Sequence, residues 1–398
     1  MKIPNKEEWI FIENNLNSDP LNLLLSNKNK EIDIKLCIEQ IQGRNIAKDK
    51  FPSLYKENNI IYPQKLFLEQ TSSEFCARYK ASLLEKDTIL FDLTSGFGID
   101  DMFFAKKIKK LYYNEKNEKL FLLAKQNFKT LNIDNVTFFC GNSLKEIENK
   151  NDITSIYIDP SRRDINRKKV FLLEDSSPNI VEIIPQLLNR ANNIYVKLSP
   201  LLDISILKSK IPHIKQIHII SYKNECKELF VIINRENKEN DIVYFCIDIN
   251  KEGKENKFSF IEKEKQSNEQ YAEDDILEKG NYLYEPFSSL MKASAFEVLS
   301  KRFNLTKLSK FSHLFISKEK IESAPCRRFI IKDIIPYNRN TIKDIAKNID
   351  KANITIRNFP ISVENIRNQT KIKEGGKIYL FFTTNKSNDK LIFICEKI

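Results

Sequence analysis

The chain has 398 residues, 41 % hydrophobic and 30 % charged, with 65 Lys plus Arg against 54 Asp plus Glu for a net charge of +11. That balance excludes a fibrous or wholly disordered chain and leaves room for two or three domains with a full core. No run approaches the roughly 18 apolar residues of a membrane span. The charge suits a polyanionic partner, but it is mostly lysine in a chain rich in Asn and Ile with only 8 Gly, a bias of usage that says little alone. Seven Cys without regular spacing, and an N-terminus with Pro4 and two glutamates where a signal peptide needs apolar residues, predict a reducing cytoplasm. With three His and no Cys pair at metal spacing, no metal site is expected.

Residues 1–87 read as a helical segment, with helices over 21–26, 32–41 and 73–84, breaks at Pro52 and Pro63, and Ser72 or Ser73 as the cap of the last helix. From Thr88 the texture changes to short β-branched and aromatic runs alternating with amphipathic stretches, the pattern of a parallel α/β sheet. Strands are predicted at 88–91, 110–113, 136–140, 155–158, 193–198, 216–221 and 229–234, with helices at 118–131 and 180–191. The last two strands, joined by a short loop, should be antiparallel. This sets an α/β domain at 88–235. The charged stretch that follows reads as a hairpin around Gly253, then a helix over 287–302 and a strand near 313–316, a module at 236–323. The remainder, 324–398, reads as a small α+β module with strands at 328–334, 354–357, 378–384 and 391–396.

The chemistry-bearing residues fall at the ends of the first four strands of the α/β region. The first ends Asp92-Leu93-Thr94-Ser95-Gly96-Phe97-Gly98-Ile99-Asp100-Asp101, where two glycines let the backbone turn tightly and approach a ligand. Asp101 stands where a dinucleotide site would prefer a third glycine. The second strand ends at Glu115, an acceptor for ribose hydroxyls. The third ends Cys140-Gly141-Asn142, an amide at a purine edge. The fourth ends Asp159-Pro160-Ser161-Arg162-Arg163, at the rim where substrate would meet cofactor. Each has a plainer alternative: a strand-to-helix turn, a solvated cap, a strand terminator.

Gly-x-Gly, an acid, Asn and Asp-Pro in that order, with a closing antiparallel pair, resemble class I S-adenosylmethionine-dependent methyltransferases. The wording of 159–164, of Lys197-Leu198-Ser199-Pro200-Leu201-Leu202-Asp203, of 224–229, and of the ending at Arg327-Arg328-Phe329, 357–360 and 373–381 is similar to the bacterial branch with a THUMP-like C-terminal domain. The resemblance implies a Rossmann-like seven-stranded methyltransferase sheet with an N-terminal helical domain and ferredoxin-like and THUMP-like C-terminal modules. It implies S-adenosylmethionine bound at Asp92, Thr94, Gly96, Gly98, Asp100, Glu115 and Asn142, with Gln70 and Ser72 covering its methionine end. Asp159 and Pro160 then form the methyl-transfer edge, and structured RNA, rRNA or tRNA, is the substrate. Arg162, Arg163 and Arg167, which directly follow that edge, are the best candidates for the RNA backbone. Amino-group methyltransferases often carry a second proline and an aromatic after Asp-Pro, and Ser161 and Arg162 replace them here, so the alternative is an RNA-binding factor that kept the fold without catalysis. A uracil carbon-5 reaction would want a cysteine where Ser199-Pro200 stands, and Cys226 is better read as a small buried residue.

Overall fold

The computed structural model describes residues 2–26, 31–161, 173–237, 241–265 and 271–398. Contacts divide the chain into two units, Met1–Ile217 with Glu228–Asn240, and His218–Lys227 with Asp241–Ile398.

The first unit begins with six helices: α1 (Lys6–Asn14), α2 (Pro20–Ser26), α3 (Ile34–Lys50), α4 (Pro52–Tyr55), α5 (Lys65–Gln70) and α6 (Glu74–Ser82). The cap of α6 is Ser73, whose Oγ accepts from the Cys76 amide; Ser72 is left for another task. Seven strands follow, β1 (Ile89–Asp92), β2 (Lys110–Glu115), β3 (Val136–Cys140), β4 (Ser155–Ile158), β5 (Asn193–Leu198), β6 (Ile214–Tyr222) and β7 (Glu225–Asn234). Between them lie α7 (Ile99–Ala105), α8 (Glu118–Thr130), α9 (Ser143–Glu148), α10 (Ile180–Leu187) and α11 (Ile204–Lys210). The spatial order is β3-β2-β1-β4-β5-β7-β6, with β1, β2, β3, β4 and β5 parallel and β7 antiparallel to β5. The order reverses between β1 and β4, and at such a switch point the carboxyl ends of parallel strands open a crevice for ligands. Central strands read as apolar runs because both faces are covered: Leu90, Phe91, Ile156, Ile158, Ile194 and Val196 are all buried. Polar side chains within such strands, Tyr157 and Lys197, therefore call for partners.

β6 and β7 divide between the units. In the second unit their far ends are extended by β8 (Val243–Ile249) and β9 (Glu255–Ile261), an antiparallel hairpin around Gly253. The sheet thus counts nine strands rather than the expected seven, because the hairpin read as a separate module adds to its edge. A second, seven-stranded sheet combines β10 (Tyr282–Pro286), β11 (Thr306–Lys307), β12 (Phe315–Ser317), β13 (Cys326–Pro336), β14 (Asn353–Ile356), β15 (Ile378–Thr384) and β16 (Lys390–Lys397) in the order β11-β12-β10-β13-β16-β15-β14. The helix expected over 287–302 is two, α12 (Ser288–Ala293) and α13 (Phe296–Phe303), because Ser294 is left-handed at φ 53° and ends the first. Helices α14 (Arg339–Asn348) and α15 (Val363–Thr370) complete this unit.

One buried carboxylate organises the second sheet. Glu285 on β10, 1 % exposed, takes Arg327 Nη1 on one oxygen and Arg357 Nη2 on the other, both at 2.7 Å. The two arginines quoted from the C-terminal motifs are thus fixed by a residue of the preceding segment, and Arg327 also lies over the rings of Phe329 and Tyr379. A planar guanidinium that both pairs with a carboxylate and stacks on rings fills a role that lysine does not.

Candidate active site

The turn after β1 is held from two sides. Gly96 and Gly98 have φ of 59° and 82°, the left-handed region that glycine enters without cost. A Cβ on Gly98 would stand 3.0 Å from Phe128 and 3.3 Å from Tyr113, so the position demands glycine for space as well. Tyr113 Oη donates to the Gly96 carbonyl at 2.6 Å, and Glu115 Oε2 accepts from the Gly96 amide at 2.9 Å. The other oxygen of Glu115 accepts from the Asn117 amide at 2.7 Å, which fixes the carboxylate at the end of β2. Asn142 is exposed and caps α9 through its Oδ1, leaving its amide group pointing to no partner in that bond. Gln70 is exposed at the end of α5.

Asp92 closes β1 and is 1 % exposed. Its Oδ1 accepts from the Thr94 amide at 2.7 Å and the Thr94 hydroxyl at 3.3 Å. Burial, then the neighbouring Asp101, push its carboxyl well above the usual range. Asp101 is itself raised to about 7, mainly by burial. The pair therefore holds a proton in the folded protein that the unfolded chain loses near pH 4. Stability from this source is present below about pH 4 and is lost as pH rises toward 7. Asp101→Asn should reduce that slope, the part due to the burial of Asp92 remaining: in urea unfolding at pH 5 and pH 8, the wild type loses on the order of a few kcal/mol over the interval and the variant loses less.

Beneath the turn lies a charged network that no single motif predicted. Lys80 of α6 is fully buried, 2.8 Å from Asp100 Oδ2 on α7 and 3.0 Å from Glu228 Oε1 on β7. Ser72 Oγ sits among all three, 3.1 Å from Asp100 Oδ2 and 3.0 Å from Glu228 Oε2, to one of which it donates its single proton, and it accepts from Lys80 at 2.7 Å. Tyr157 of β4 donates to Asp100 Oδ2 at 2.7 Å. Burial works to raise the Asp100 pKa, but Lys80 and Lys197 outweigh it and the carboxyl is held below its ordinary value. Its Oδ1 is buried without a hydrogen-bond partner among the described residues.

At the end of β4, Asp159 anchors the same corner. Its amide donates to Thr94 Oγ1 at 2.7 Å, tying it to the β1 turn, and its Oδ2 accepts from Lys197 Nζ at 2.5 Å. Pro160 is buried behind it, and Ser161 pairs its backbone with Ser177 at 2.9 and 3.1 Å. Arg162, Arg163 and Arg167 lie outside the described residues. The structure thus brings together Ser72, Asp92, Thr94, Gly96, Gly98, Asp100, Glu115 and Asp159, and adds Lys80, Tyr157, Lys197 and Glu228. Lys197 is visible as a charge inside a predicted apolar strand, a signal that periodicity alone does not convert into a site, whereas Glu228 falls just before the predicted strand at 229–234 and joins β7 only in the structure.

Over its whole length the chain superposes on a crystal structure from Porphyromonas gingivalis W83 provisionally named a methyltransferase, with a TM-score of 0.86, 26 % identity and 100 % of both chains covered. Family models match a ferredoxin-like domain at residues 282–325 and a THUMP domain-like region at 326–397. The chain is a methyltransferase-type α/β fold with ferredoxin-like and THUMP-like C-terminal domains. Partial matches include M. capricolum TrmK with S-adenosyl-homocysteine (19 % identity, TM-score 0.32, 41 % of this chain and 69 % of that one) and an rRNA methylase from Streptococcus thermophilus (16 %, 0.30, 40 % and 93 %). At those scores neither bears on this chain. No curated protein sequence matches it. Among the described residues, no helix of this fold is long and apolar enough to cross a membrane.

Proposed function

We propose that this protein is an S-adenosylmethionine-dependent methyltransferase acting on a nucleobase of rRNA or tRNA. The observation that carries the reading is the convergence of Asp159, the Gly96–Gly98 turn and Glu115 at the carboxyl ends of β4, β1 and β2. The residues fit the cofactor. A Cβ on Gly96 would meet nothing nearer than the Thr94 carbonyl at 3.9 Å, so the turn is open to a ligand. The unpartnered Asp100 Oδ1 is an acceptor suited to an ammonium group, and Glu115 to ribose hydroxyls. When bound, the cofactor supplies an electrophilic sulfonium methyl that a nitrogen lone pair takes up, leaving a neutral thioether and releasing one proton. The protein's part is then positioning and exclusion of water rather than strong acid or base chemistry.

RNA as substrate is supported by the THUMP-like region and by the charge distribution. Residues 326–398 hold 15 Lys plus Arg against 7 Asp plus Glu, so +8 of the net +11 lies in the last 73 residues. The basic cluster of Arg162, Arg163 and Arg167 beside Asp159 would add phosphate contacts. A non-catalytic RNA-binding factor is the competing reading, favoured by Ser161, whose backbone is engaged with Ser177 where an aromatic platform would follow a second proline. Calorimetry with S-adenosylmethionine, together with labelled-methyl incorporation into total RNA from cells lacking the protein, decides between them. We expect binding and incorporation. Binding of RNA without either would favour the factor.

A further inference from the structure

We propose that Lys197 is a positioning residue for methyl transfer, holding Asp159 so that its remaining oxygen accepts an N–H from the substrate base. The inference rests on the methyltransferase reading above.

Lys197 lies on β5, next to β4 in the sheet, and is 7 % exposed. A lysine in a central parallel strand buries a charge that costs several kcal/mol unless it is paired. Its partner is Asp159 at 2.5 Å, with Asp100 at 4.0 Å. Burial alone lowers the Lys197 pKa, but Asp159, Asp100 and Glu228 together raise it above its ordinary value, so the ammonium persists. Asp159 is consequently fixed at both ends, its amide on Thr94 and its Oδ2 on Lys197. The Asp159 side chain remains 35 % exposed, and no described residue donates a hydrogen bond to its Oδ1. One oxygen is thus held by Lys197, and the other is left without a donor among the described residues.

Lysine also does what a neutral residue could not. Asp159, Asp100 and Glu228 all act on this one ammonium, and without it Asp100 and Glu228 keep Lys80 while Asp159 loses its paired cation beside them. Either a proton would be taken up or Asp159 would turn toward solvent. In both cases the acceptor is lost from the place where an amine would meet the methyl group. Lys80 cannot substitute, because it is engaged with Asp100 and Glu228.

The test is a double-mutant cycle read by labelled-methyl incorporation into total RNA from cells lacking the protein, with S-adenosylmethionine affinity measured in parallel. Lys197→Met should lower incorporation about 100-fold or more, the range for a lost positioned proton-bonding group, with cofactor affinity within about threefold. Lys197→Arg, which keeps the charge, should recover incorporation to within about tenfold of wild type. The double variant Lys197→Met/Asp159→Asn, in which no buried charge is left alone, should be no worse than Asp159→Asn. That comparison serves even if Lys197→Met alone fails to fold. Additive losses in the double variant, or incorporation by Lys197→Met within about threefold of wild type, would overturn the positioning role while leaving the methyltransferase reading intact. A wild type that neither binds S-adenosylmethionine nor methylates would overturn that reading and this role with it.

Discussion

Asp159→Asn is expected to lower methyl transfer by about 10²–10⁴-fold, the span seen when a positioned acid, base or acceptor is removed, while S-adenosylmethionine affinity changes by no more than a few fold. The separation follows from geometry. The groups that would hold the cofactor, the Gly96–Gly98 turn, Glu115 and Asp100, are anchored by Tyr113, Asn117, Lys80 and Tyr157, none of which depends on the Asp159 carboxylate. Asn preserves the amide bond to Thr94 Oγ1 and the size of the side chain, so the β1–β4 corner keeps its shape. What changes is the charge that faces substrate and the partner of Lys197. Asp100, 4.0 Å from that ammonium, and Glu228 still offset part of its charge, which limits the folding penalty. Calorimetry and methyl incorporation on the same preparation check the prediction. Parallel loss of both would assign Asp159 a role in folding instead.

The largest stability effect should come from Lys80→Met. Lys80 is fully buried between Asp100 and Glu228, out of reach of bulk solvent. Deleting one member of a buried ion cluster leaves uncompensated charge and typically costs about 3–5 kcal/mol, a large part of the 5–15 kcal/mol that holds an ordinary domain together. The methionine keeps most of the apolar stem, so the loss is electrostatic rather than a cavity. Because α6 carries Lys80 while α7 and β7 carry the acids, the effect should be read as loosening of the N-terminal helices from the sheet of the first unit. Urea unfolding gives the magnitude. Adding Glu228→Gln to Lys80→Met removes one of the stranded charges and should recover about a third to a half of the loss; no recovery would point to packing as the cause.

Much of the architecture was legible in the amino-acid sequence because its determinants are local. Strands β3, β4 and β5 coincide with the predicted runs at 136–140, 155–158 and 193–198: β4 and β5 are central strands rich in apolar residues, and β3, at the edge and only half-buried, is marked by its β-branched and aromatic residues. Gly96 and Gly98 announce a tight turn at the end of β1 by residue type alone. Boundaries that depend on tertiary pairing were less legible. β10 was overlooked, and its residues acquire meaning only through pairing with β12 and β13. The helix over 287–302 was drawn through Ser294, because a left-handed residue without glycine leaves no local sign.

By itself, then, the sequence determined the strand-ends that could hold a ligand and their order along the chain, because hydrophobic periodicity and glycine are properties of neighbours. It could not determine which charges meet. Ser72 and Glu228 are 156 residues apart, and Lys197 and Asp159 are 38 apart; only the parallel packing of β4 against β5 and the return of β7 bring them into one buried corner. Electrostatics in such a corner depends on distance and exclusion of water rather than on position in the chain. That is why Lys80 and Tyr157, and the roles of Lys197 and Glu228 within stretches already singled out by resemblance, emerged as partners of the predicted site only when the chain was folded.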